Sequence, residues 1–156
     1  MEQAVVSAIS HDTSEAKVTI TGVPDKPGIA ARVFREIANR NVNVDMIVQN
    51  VSHGGTTDIS FTVPQVDLNA ALSVTQEIAS EIGAGSAYAD SGIGRVSLIG
   101  AGMKSHPGIT ATMFETMAKG GINIEMISTS AIRISCVVRQ EDVEDAVRLL
   151  HEAFEL

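Results

Sequence analysis

The stretch "VPDKPGIAARVF", Val23 to Phe34, sets Asp, Pro and Gly directly ahead of an apolar helical stripe, and the chain repeats the device as "MKSHPGITATMF", Met103 to Phe114. Aligned from these loops without gaps, Pro27–Ile47 and Pro107–Ile127 agree at nine of 21 positions. They are Pro27/Pro107, Gly28/Gly108, Ile29/Ile109, Ala31/Ala111, Phe34/Phe114, Ala38/Ala118, Asn43/Asn123, Met46/Met126 and Ile47/Ile127. Val42/Ile122, Val44/Ile124 and Asp45/Glu125 exchange like for like. The chain is a tandem duplication.

Each copy carries the same order of elements. "KVTITG", Lys17 to Gly22, alternates apolar residues and stops at Gly, which predicts a strand. Ile29, Ala30, Val33, Phe34, Ile37 and Ala38 then recur at helical spacing. "NVNVDMIVQN" alternates again, "HGGTT" reads as a turn, and "DISFTVP" predicts a third strand ended by Pro64. From Asp67, read as an N-cap, Leu68, Ala71, Leu72, Thr75, Ile78, Ala79 and Ile82 trace a second helical face. "GSAYADSG" supplies a short closing strand and the linker.

The second copy reads as Arg95–Ile99, Gly108–Lys119, Ile122–Ser128, Ala131–Val138 and a helix carrying Val143, Ala146, Val147, Leu150 and Phe154. Strand–helix–strand–strand–helix–strand is the ferredoxin-like βαββαβ unit. The expected fold class is therefore α+β: two tandem ferredoxin-like domains, each an antiparallel sheet with its helices on one face. The second copy reaches Leu156 without a last strand, and "QAVVSAIS" at the N-terminus is the expected donor of that edge. The domain boundaries so read are 1–16 for the N-terminal strand, 17–92 for the first domain and 93–156 for the second.

Composition narrows the function. Aromatics are only 3% of 156 residues and Trp is absent, so the core must be aliphatic. A net charge of −8 argues against nucleic acid or an anionic membrane as partner. No stretch has the length and apolarity of a membrane span, and "MEQAVVSAIS" lacks the basic start and apolar run of a signal peptide, so a cytoplasmic protein is expected. Cys136 is the only cysteine and sits in an alternating segment, where it reads as buried and inert.

The Pro-Gly loops are where chemistry is expected. Pro fixes the chain just ahead of a helix, and Gly lets the backbone approach a ligand closely. The helix start presents unpaired N–H groups and partial positive charge, which suit a carboxylate. Asp25 beside it is an acceptor for an ammonium group, and the two together fit a free amino acid. The alternative left open by the residues alone is that Asp25 caps the helix and Pro-Gly shapes a turn.

Other chemistry finds no support. His11, His53, His106 and His151 show no metal spacing, and neither a nucleophile elbow nor a P-loop motif occurs, so no catalytic residue, metal site or cofactor is assigned. Glu141–Asp142 and Glu144–Asp145 read as solvated helix faces. "VSLIGAGMKS", Val96 to Ser105, imitates a dinucleotide fingerprint through Gly100, Gly102 and a later Glu125. Its third Gly position is Ser105, however, and Pro107 starts the helix too late. A small nucleotide-binding enzyme built on that Gly100-Ala101-Gly102 turn is the alternative function, and a purely structural dimerisation module is a third.

"AKVTITGVPDKPGIAARVF", "NVDMIVQNVS", "TTDISFT", "RVSLIGAGMKSHPGITATMF" and "INIEMISTSAIRIS" together resemble the C-terminal tandem ACT domains of bacterial aspartokinase, from about His11 to Leu156. The resemblance implies a regulatory (β) subunit, with the kinase domain upstream, so that this chain alone would not phosphorylate aspartate. "MEQAVV" would suit an internal translation start, and a cloned regulatory fragment would look the same. It further implies sensing of L-threonine, and in many members L-lysine, for feedback control of lysine, threonine and methionine biosynthesis. The expected partners are a second copy, paired through the ACT domains, and the catalytic (α) subunit.

Carried over residue by residue, the resemblance implies a threonine site of Asp25, Gly28, Ile29, Ala30 and Gln49, closed by the backbone at Asn123 and Ile124 of a second chain. A second, lysine-type site would use Asp45, His106, Gly108, Ile109, Thr110, Ala111 and Ser130. The family commonly reads "STSEIRIS" where this chain has Ala131 in place of the Glu. Loss of that carboxylate should weaken any site for a cationic side chain, so threonine is the expected effector.

Overall fold

The computed structural model describes residues 5–52 and 54–156. His53 of the expected turn, and residues 1–4 ahead of the N-terminal strand, lie outside the described residues. The chain divides into two compact units, one of residues 14–91 and the other of residues 5–13 with 92–156. The strand β1 (Val5–Asp12) belongs to the second of these, although it comes first in the chain.

The unit Ser14–Ser91 runs β2 (Glu15–Pro24), α1 (Ile29–Asn39), β3 (Ile47–Gln49), β4 (Thr56–Pro64), α2 (Leu68–Ile82) and β5 (Ala87–Asp90). Its sheet has the order β3-β4-β2-β5, every pair antiparallel. Alternation along β2 sends Val18 and Ile20 to one face, where they meet Ile59, Phe61 and Val63 of β4. Val33 and Ile37 of α1 and Ala71, Val74 and Ile78 of α2 cover that face, all of them buried. Each large apolar side chain so buried stabilises the unit by roughly 1.5–3 kcal/mol. The edge of Phe34 packs against Phe61, ring centroids 5.4 Å apart.

The other unit runs β6 (Ile93–Ala101), α3 (Pro107–Lys119), β7 (Met126–Thr129), β8 (Arg133–Arg139) and α4 (Val143–Ala153). Its sheet has the order β1-β6-β8-β7, again antiparallel throughout. β1 lies along β6, with Ile9 opposite Leu98, in the place that β5 takes in the first unit. Val96, Leu98, Ile134 and Cys136 face Met113 and Met117 of α3 and Ala146 and Leu150 of α4. Both units are thus ferredoxin-like two-layer α+β structures. Because no two neighbouring strands run parallel, the Gly100-Ala101-Gly102 turn is not the crossover turn of a dinucleotide fold.

Three local departures from the sequence reading have identifiable causes. The strand expected over "NVNVDMIVQN" pairs as a ladder only at Ile47–Gln49. Just before it the Met46 amide bonds the Thr62 hydroxyl at 3.0 Å instead of a backbone carbonyl, although Val42 and Met46 still face inward. In the second copy β7 is confined to Met126–Thr129, and β8 starts only at Arg133, because Ser130 Oγ accepts the amides of Ile132 and Arg133 and closes a turn across 130–133. Asp67 stands at the N-cap of α2 but makes no side-chain cap bond. The 3-10 turn Gln65–Asp67 leads straight into the helix, and its Gln65 carbonyl takes the Leu68 amide.

Candidate functional site

The two Pro-Gly loops, so alike in sequence, differ in structure. In the first, α1 begins only after Gly28, which holds φ 92° at the N-cap. That backbone region favours Gly because it crowds a Cβ. The Arg32 amide donates to Gly28 O at 3.0 Å as the first helical bond. The amides of Ala30 and Ala31, just before it in the same first turn, have no backbone or capping partner among the described residues. Asp25 is exposed ahead of them, its own amide fixed on Gly55 O at 2.9 Å.

The structure brings Gln49 to the same end of this sheet. It is the last residue of β3, exposed, opposite Ile59. The next residue, Asn50, donates its amide to Asp58 O at 3.1 Å and accepts the Thr57 hydroxyl. β2 reaches that same end through Val23 opposite Thr57 and Pro24 opposite Thr56. A carboxylate acceptor, unpaired helix-start amides and a side-chain amide are therefore gathered at one end of one sheet. Together they offer partners for an ammonium, a carboxylate and a hydroxyl. Asn123 (exposed) and Ile124 (half-buried) belong to the other unit, on the segment between α3 and β7.

In the second loop the helix starts earlier. α3 begins at Pro107, Gly108 is an ordinary helical residue, and a 3-10 turn at Met103–Ser105 precedes it. Gly102 takes the positive φ here, at 68°, and its carbonyl lies 2.8 Å from His106 Nδ1. The residues of the lysine-type set that lie in this unit line two hollows that share Pro107. Thr110, Ala111 and Ser130 line a cleft of about 790 Å³ with Met103, Phe114 and Thr129. His106, Gly108 and Ile109 line the adjoining hollow of about 570 Å³ with Phe154. Asp45 is exposed in the other unit. Among the described side chains no charged one lines the larger cleft, and Ala131 is part of its wall.

Sequence reasoning overlooked Phe114 and Thr129 in that cleft, and Asn50, Thr57 and Asp58 beside the first loop. The first two were within reach of the repeat: Ala30, Phe34 and Gln49 align with Thr110, Phe114 and Thr129. The repeat also keeps a hydroxyl pair on each sheet. Thr19 Oγ1 and Ser60 Oγ are 2.9 Å apart, and Ser97 Oγ and Ser135 Oγ 2.7 Å. Each satisfies a group that burial would otherwise penalise. Burial pushes the Cys136 thiol up to about 12, so it stays protonated and unreactive. Among the described residues no group of three His, Cys, Asp or Glu side chains could hold a metal ion, and no helix is long and apolar enough to cross a membrane.

Two consecutive βαββαβ units, each sending a Pro-Gly loop into its first helix, define a tandem ACT-domain protein. Residues 17–83 and 96–154 each match an ACT domain family. Over its whole length the chain is 53% identical to aspartate kinase Ask_LysC of Stutzerimonas stutzeri, and it spans 38% of that relative's length. It matches a chain of the aspartokinase alpha and beta subunit structure with 45% identity and a TM-score of 0.92, covering 97% of this chain and 100% of that one. The ligand-free regulatory subunit of aspartate kinase from Thermus thermophilus matches with 39% identity and a TM-score of 0.92, over 96% of this chain and 99% of that one. This chain belongs to the aspartokinase family and corresponds to its regulatory part.

Proposed function

We propose that this chain senses L-threonine and transmits feedback inhibition to the phosphorylation of aspartate, the reaction that feeds lysine, threonine and methionine biosynthesis. The observation that carries the reading is the first loop. There the Asp25 carboxylate, the unpaired amides of Ala30 and Ala31 and the Gln49 amide lie at one end of one sheet. Those groups match the ammonium, carboxylate and hydroxyl of threonine without any group for a second cation. Gly28, Ile29 and Ala30 form the wall at the helix start, and Asn123 and Ile124 of a second copy close the site. The functional unit is a cytoplasmic homodimer joined to catalytic subunits. Threonine acts by binding one arrangement of that assembly better than another, since a ligand with equal affinity for both would shift nothing.

Lysine is the weaker effector in this reading. The cleft formed by Thr110, Ala111 and Ser130 has no carboxylate among its described lining residues to meet an ε-ammonium. A nucleotide is disfavoured by the antiparallel neighbours of β6.

Thermal unfolding of the purified chain titrated with L-threonine, L-lysine and ATP tests the proposal. A ligand that binds only the folded state adds RT ln(1 + [L]/Kd), about 2.7 kcal/mol at a hundred times Kd. A saturable upward shift with threonine, abolished in Asp25→Ala, is expected. No shift with threonine at millimolar concentration would overturn the threonine reading, and an equal shift with lysine would overturn the argument from Ala131.

A further inference from the structure

In the first unit the ladder between β2 and β4 breaks. Ile20 pairs with Ile59 and Val23 with Thr57, so Thr21 and Gly22 together oppose the single residue Asp58. This is a β-bulge, with Gly22 at φ 62°. The amide freed by the bulge donates to Asp58 Oδ1 at 3.0 Å. In the duplicated unit the equivalent residue, Gly100, donates instead to the backbone carbonyl of Ile132 at 3.0 Å, and Arg133 stands where Asp58 would be. At this one position the amide of the first unit is held by a side chain and its counterpart in the second by a backbone carbonyl.

Asp58 touches both halves of the threonine site described above. Its carboxylate holds Gly22, from which the last two residues of β2, Val23 and Pro24, lead to Asp25 and Gly28. Its backbone carbonyl holds the Asn50 amide, one residue beyond Gln49. We infer that Asp58 is the positioning residue of the effector site: it sets the spacing between the Asp25 loop and Gln49 without contacting the ligand. The inference rests on the threonine reading. Without the carboxylate the bulge amide loses its acceptor and the loop populates its binding-competent form for a smaller fraction of the time, which raises the apparent Kd in proportion.

Calorimetric titration of L-threonine into the full chain, as wild type, Asp58→Ala and Asp58→Asn, tests this, with amide exchange at Gly22 followed in parallel. An Asn side chain keeps an oxygen that can accept the same bond. The expected result is affinity lowered about ten- to a hundred-fold in Asp58→Ala, the range for a lost bond to a charged acceptor. Affinity should be largely restored in Asp58→Asn, with Gly22 protection following the same order. Unchanged affinity in Asp58→Ala overturns the inference while leaving the threonine site standing. So does Asp58→Asn binding as weakly as Asp58→Ala while Gly22 stays protected, since the carboxylate would then act by charge rather than position. Absence of threonine binding in the wild type overturns the underlying reading, and is seen before any variant is made.

Discussion

Substituting Ala for Gly in the two Pro-Gly loops should move stability in opposite directions. At Gly28 an added Cβ would meet nothing within 4 Å, so no clash contributes. The cost is conformational: φ is 92°, and an L-residue held in left-handed backbone loses about 1–2 kcal/mol. Restriction of the unfolded chain returns roughly 0.4–1 kcal/mol, which leaves Gly28→Ala destabilising by about 0.5–1.5 kcal/mol. Gly108 is equally open but already helical, in the first turn of α3. There the Ala side chain should be stabilising, up to the ~1 kcal/mol that separates Gly from Ala in helices. The two variants should thus differ by about 0.5–2.5 kcal/mol, on the order of two- to sixty-fold in the unfolding constant. Urea titration followed by circular dichroism, with amide exchange assigning the change to one unit, measures this. If both variants shift stability the same way, the two helix starts are alike and the contrast drawn from Gly28 is wrong.

Two further outcomes follow from the packing. In Gly94→Ala the new Cβ would fall 2.3 Å from Val143 Cγ2, a buried β-branched side chain with little freedom to turn away. Overpacking of this kind costs about 1–3 kcal/mol, roughly 4–8 °C of melting temperature for each kcal/mol in a unit of this size. A variant melting with the wild type would refute the contact. Cys136 should resist Ellman's reagent at pH 8 in the folded chain and react at once in urea; rapid labelling of the native protein would contradict its burial. Its pKa is raised from 9.0 to about 12 on folding, so its stabilising contribution is complete below pH 9 and is lost as pH rises toward 12. Cys136→Ala should therefore flatten the alkaline limb of the stability profile, and an unaltered limb would show that the thiol has no part in it.

The duplicated fold was legible because the repeat constrains both copies at once: strand alternation at Val18 and Ile20 recurs at Val96 and Leu98, and the α1 stripe recurs in α3. What stayed hidden depends on partners distant in sequence. The shortness of β3 follows from the Thr62 hydroxyl taking the Met46 amide, and no local pattern announces that exchange. The difference between Gly28 and Gly108 arises upstream of the shared Pro-Gly, where the first loop is tied to Gly55 and the second is wound into a 3-10 turn. Asp58 reads as one polar position in an alternating strand, "TTDISFT", because its role comes from a bulge two strands of sequence away. The candidate ligand groups were easier to read, since Asp25 and Gly28 announce themselves by residue type.

Divergence between the copies is concentrated at the loop end of the sheet. Core positions exchange one apolar side chain for another, Phe61 for Cys136 or Val33 for Met113, and both helix-covered faces remain buried. At the loop end the exchanges change chemistry: Asp25 becomes Ser105, Asp58 becomes Arg133, and Gly28 leaves the helix where Gly108 joins it. On the proposed reading a single amino acid would not bind both loops alike, because the second has lost the carboxylate that would face an ammonium and its helix starts earlier, where the first keeps open amides. Unequal sites are what a regulator needs. In the proposed site, a ligand that recognises the first loop and not its duplicate places its binding energy at one loop only, and such a differential affinity is what can favour one arrangement of an assembly over another.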